Sequence, residues 1–124
     1  MTIIDANYIL RWFLNDDVDQ ATFVRDLIIN SGSKTLLVDR ITIAEVTYVL
    51  RSMKYNHQQI YELFEELCYY PSLLPLGEIE GMALDIYRDT NLDFEDATLV
   101  ANAKINNYKL GTFDKKMINL LKSL

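Results

Sequence analysis

Along the chain, short apolar runs alternate with longer stretches whose hydrophobic positions recur at helical spacing. The short runs predict strands over residues 2–4, 35–38, 73–76 and 109–112. The longer stretches predict helices over 8–14, 21–29, 43–53, 57–70, 80–89, 95–105 and 115–124. The third of these carries a stripe at Ile43, Val46, Val49, Leu50 and Met53, and Pro71 stops the fourth. Strands alternating with helices imply right-handed crossovers and a parallel sheet covered on both faces, a three-layer α/β/α sandwich. No repeat, low-complexity tract or Pro/Gly-rich linker breaks the pattern, so residues 1–124 are expected to form one domain.

Half the residues are hydrophobic, which supplies a real core and excludes a disordered chain. No apolar run reaches the roughly 20 residues that span a bilayer. The start, MTIIDANYIL, lacks the basic opening and small-residue cleavage site of a secretion signal. The one cysteine, Cys68, has no partner for an internal disulfide. These features predict a cytoplasmic protein with no membrane partner. Cys68 lies in the apolar helical run ELFEELCYY and is expected to be a buried structural thiol. The formal net charge of −6 argues against a broad basic surface for nucleic acid. It leaves open a nuclease whose metal ion supplies positive charge locally.

In a parallel sheet, ligands bind beyond the carboxyl ends of the strands, so acids just after strands matter most. Asp5 follows the first strand and Asp114 follows the fourth. Glu45 is expected in the first turn of the helix after the second strand, and Asp96 in the first turn of the helix after Asn91. Each has an ordinary structural role available. Thr42 to Glu45 matches a capping box. Asp93 is placed to cap its helix, with Asp96 favoured by the helix dipole. Asp114 is placed to cap the last helix, and Asp5 to serve in a turn. Four carboxylates at one sheet edge, however, would repel one another, a cost that a bound cation offsets. Oxygen-only ligation points to a hard ion, Mg²⁺ or Mn²⁺. Such an ion suits displacement at phosphorus. His57, the only histidine, sits in the polar KYNHQQ and is expected at a helix start on the surface rather than as a base.

The segments IIDANYILRWFLND, ITIAEVTYVL, FEDATLVANA and GTFDKKM, in that order, resemble PIN-domain proteins, and in particular the VapC-type toxins of bacterial toxin–antitoxin pairs. The resemblance covers nearly the whole chain. It implies a small parallel sheet of four or five strands between helices, and metal-dependent hydrolysis of RNA. Many relatives continue past the position of Leu124 into one more short strand, which leaves the fifth strand open. The resemblance assigns Asp5, Glu45, Asp96 and Asp114 as catalytic metal ligands, with Asn7 and Thr112 as supporting groups. It implies Mg²⁺ or Mn²⁺ as cofactor, RNA as substrate, a cognate antitoxin as partner and a possible homodimer. Arg11, Arg40, Arg51, Lys54, Lys115 and Lys116 are candidates for a local basic rim. Trp12, in the amphipathic LRWFL, is the foremost of several aromatic candidates for a protein interface. A receiver domain is disfavoured because LLPLG carries no phospho-accepting Asp, and a DxDxT phosphatase because Asn7 stands where its second Asp is needed. The alternative is a PIN-like RNA-binding module or housekeeping nuclease without an antitoxin.

Overall fold

A computed structural model describes residues 1–124. Seven helices and two short strands follow one another along it: β1 (Thr2–Ile3), α1 (Ala6–Leu14), α2 (Val18–Asn30), β2 (Leu36–Leu37), α3 (Arg40–Ser52), α4 (His57–Cys68), α5 (Glu78–Asp89), α6 (Phe94–Asn106) and α7 (Lys115–Ser123). The chain divides into two compact units, Met1–Leu76 and Gly77–Leu124.

In the first unit, β1 and β2 pair in parallel, Thr2 opposite Leu36 and Ile3 opposite Leu37. The ladder is extended by Thr2 N–H donating to Thr35 O at 2.7 Å and Ile4 N–H donating to Leu37 O at 3.0 Å. Its helices take their ends from the sequence. Asp5, Asp17 and Asp39 each accept a backbone N–H three residues on and so cap α1, α2 and α3. Asn56 and Gln59 form a reciprocal capping box at α4. Asn15 ends α1 in the left-handed conformation, where asparagine is tolerated better than most residues. The unit closes over Ile4, Ile9, Val24, Ile28, Leu36, Ile43, Val46, Leu50, Ile60, Leu63, Phe64 and Leu67, all nearly or wholly buried. This burial is the main force holding α1 to α4 around the short sheet.

In the second unit, α5 packs along α6 and α6 meets α7. Ala83, Ala97 and Ala101 are fully buried, and residues this small let helices approach closely. Tyr87 and Phe94 meet edge to face at 6.5 Å between ring centroids. Asn107 closes α6 in the left-handed conformation, and Tyr108 N–H donates back to Ala103 O at 2.8 Å.

All seven predicted helices are present, most with ends within two or three residues of those expected. The sheet is smaller than expected: two strands, not four or five. The third predicted strand is reduced to one parallel bridge, Leu36 with Leu73, and Leu74 N–H donating to Leu36 O at 2.8 Å. Pro75 follows and has no N–H to donate, so the ladder stops. Residues 109–112, Lys-Leu-Gly-Thr, form no strand. They offer one aliphatic side chain and a glycine, too little to bury or pack on a pleated face.

Three further expectations are corrected. The helix containing Glu45 begins at Arg40 and is capped by Asp39, so Thr42 is inside its first turn and no Thr42–Glu45 capping box forms. Trp12 is buried at 7% exposure, edge to face with Tyr70, and has little area to offer a partner. Cys68 is exposed on α4 rather than buried. Neighbouring side chains still desolvate its thiol and push its pKa up, which is the opposite of nucleophile activation.

Candidate active site

In the first unit, Asp5 sits at the junction of β1 and α1. Its Oδ1 accepts Tyr8 N–H at 3.0 Å, which ties the carboxylate to the first turn of α1 and sets it beside the partial positive charge of that helix end. Asp5 and Asn7 both line a cleft of about 540 Å³ shared with Tyr8, Arg11, Gln20 and Phe23. Tyr8 and Phe23 meet edge to face at 6.1 Å. Arg11 is already engaged, donating to Asp16 at 2.8 Å and to Gln20 at 2.9 Å. It therefore leaves Asp5 without a cationic partner and is not a free member of a basic rim. Glu45 stands exposed in the second turn of α3.

In the second unit, the acids cluster around the start of α6. Asp93 caps the helix, accepting Asp96 N–H at 2.8 Å. Asp96 is half-buried. Partial burial raises its carboxyl pKa first, the charge of Asp93 raises it next, and that of Asp114 adds to both. Glu95 is raised likewise by partial burial, then by Asp93 and, more weakly, by Asp96. Asp114 caps α7: its Oδ1 accepts Lys116 N–H at 2.8 Å and Met117 N–H at 3.4 Å. Thr112 Oγ1 accepts Asp114 N–H at 3.0 Å, which fixes the backbone that carries the acid. The structure thus brings Asp93, Asp96 and Asp114 into one electrostatic neighbourhood and ties Thr112 to Asp114.

The capping roles expected of Asp93 and Asp114 are real, and Asp5, expected in a turn, caps α1. Capping does not use up a carboxylate, because a cap needs only one oxygen. Most acids of the chain are outside any ion pair, so the lack of one does not by itself mark a site. Asp16 pairs with Arg11, and Asp85 and Asp89 pair with Arg88. None of Asp5, Glu45, Asp96 and Asp114 is in an ion pair. Asp96 in particular has acids for charged neighbours and no compensating cation.

That donor chemistry fits a hard divalent ion: carboxylate oxygens only, with mutual repulsion that a cation relieves. No three His, Cys, Asp or Glu side chains stand ready in a metal-binding arrangement. Sequence patterning missed Asp39 as the cap of α3 and missed that α2 lends Gln20 and Phe23 to the cleft beside Asp5. The signal for the first was present, an Asp three residues before Thr42. The second depends on which face α2 presents, which its weak apolar stripe leaves open.

The model of the PIN domain matches residues 2–121, and the chain belongs to that family. The PIN domain is a nuclease-type fold, and its members are generally metal-dependent nucleases. No curated protein and no solved structure gives a significant match.

Proposed function

We propose that this chain is a metal-dependent endoribonuclease that acts in the cytoplasm as the toxin of a type II toxin–antitoxin pair. The observation that carries the nuclease reading is the carboxylate of Asp96, whose pKa is raised by partial burial and by the charges of Asp93 and Asp114, in a chain that belongs to the PIN family. On this reading the two compact units work as one domain. Asp5, Asp96 and Asp114 hold the ion, Mg²⁺ or Mn²⁺, and Glu45 completes the set directly or through water. When bound, such an ion supplies a Lewis acid for the phosphate and lowers the pKa of a water.

The rest is done by this chain's own groups. One of the carboxylates accepts a proton from the attacking water. Capping hydrogen bonds to Asp5 and Asp114 hold those side chains in place before substrate arrives, so little ordering entropy is left to lose. Thr112 fixes the turn that carries Asp114, and Asn7 orients ligand or water beside Asp5.

The toxin reading adds a partner: an antitoxin that presents a basic side chain to the acidic site. Induced expression of the chain in a bacterial host tests both layers. Growth arrest that Asp96→Asn abolishes, and that a small gene encoded beside this one relieves, is the expected result. Arrest that persists with Asp96→Asn contradicts the site. RNA cleavage without any arrest favours a housekeeping nuclease instead.

A further inference from the structure

Between Thr112 and Asp114, Phe113 is 102% exposed, the most exposed large hydrophobic residue of the chain. It stands immediately before the cap of α7, the position from which an apolar side chain ordinarily folds back onto the fourth helical residue, here Ile118. At full exposure, Phe113 makes no such staple. The backbone around it is nevertheless held: Asp114 N–H donates to Thr112 Oγ1 at 3.0 Å, and Asp114 Oδ1 accepts Lys116 N–H at 2.8 Å. A fixed turn therefore presents a bare aromatic ring one residue from a candidate metal ligand, with Lys115 and Lys116 exposed just beyond it.

Resting on the nuclease reading above, we propose that Phe113 is a stacking platform for an unpaired base of single-stranded RNA, next to the phosphate to be cut. Phe113 and Asp114 are adjacent in the chain, with Cα atoms about 3.8 Å apart. The charge of the chain supports this choice of contact. With a net charge of −6, the protein gains little from general attraction to phosphates. Stacking is independent of charge and tolerant of sequence, because every base has a π-face. The two lysines then need only hold the adjoining phosphates.

The test measures binding of a fluorescein-labelled, mixed-sequence single-stranded 12-mer RNA in EDTA by anisotropy, and its cleavage with Mg²⁺ or Mn²⁺. The proteins are wild type, Phe113→Ala, Phe113→Leu and Phe113→Trp. The ring is on the surface, so all four fold. Loss of one aromatic stack predicts weakening of roughly 5- to 100-fold for Ala and also for Leu, with Trp at least as tight as wild type. The loss persists at raised salt, because stacking is not a charge effect. Equal RNA binding and cleavage by all four overturns the stacking role and leaves the nuclease reading intact. Unchanged RNA binding with a change in self-association on size exclusion assigns the ring to a protein contact and overturns it too. If wild type neither binds nor cuts RNA, both readings fail.

Discussion

Asp96 shows how one side chain carries both a structural cost and a proposed use. Its folded pKa is raised, so its ionised form is disfavoured in the fold relative to the unfolded chain. That penalty is absent below the unfolded carboxylate pKa, about 4, where both states hold the proton. It grows as pH rises from there through the raised folded value, and is present in full at neutral pH. In EDTA at pH 7, Asp96→Asn is therefore expected to melt slightly above wild type, with the gain vanishing near pH 3. Differential scanning fluorimetry of the two proteins across that range measures it, and a gain that is constant with pH contradicts it. Added Mg²⁺ is expected to raise the wild-type melting temperature and leave the variant unmoved. At this scale the sequence was readable where local chemistry decides, as with Asp93 and Asp114, whose capping roles follow from their place before a helix. It misled where only packing decides: Trp12 is buried and Cys68 exposed, and neither follows from helical spacing alone.

Helices were the most legible elements because both their stripes and their ends are written locally. Five of the seven are capped by an aspartate and a sixth by Asn56. Asp39 gives this a direct measure. Its Oδ1 accepts Thr42 N–H at 2.9 Å, and its side chain has no part in the proposed chemistry. Asp39→Ala is expected to cost about 1 kcal/mol in urea denaturation while kcat for RNA cleavage stays within about twofold of wild type. A tenfold fall in kcat would show that α3 is an active part of the site through Glu45. Strands were less legible because pairing depends on partners far along the chain. An apolar run such as Leu73–Leu74 forms a bridge, yet Pro75 ends it, and Lys-Leu-Gly-Thr over 109–112 has too little side chain to hold a ladder.

For the whole molecule, the tension lies between a nuclease-type fold and a net charge of −6. No helix is long and apolar enough to cross a membrane. If Lys115 and Lys116 provide the phosphate contacts, RNA binding depends only shallowly on salt. Replacing both with Gln should then reduce the slope of log K against log salt by about 1.4, at roughly 0.7 per contact on a single strand. An unchanged slope would place the phosphate contacts elsewhere.

The most direct measurement is cleavage of a mixed cellular RNA pool by purified protein, in Mg²⁺ or Mn²⁺ and then in EDTA, with Asp96→Asn alongside. Cutting that needs the ion and falls by at least about 100-fold in the variant is the predicted result, since losing a ligand loosens the ion that stabilises developing charge, and the loss of one such stabilising interaction costs about that much. Cutting that survives EDTA, or that Asp96→Asn performs as well as wild type, would contradict a metal-dependent nuclease built on these carboxylates.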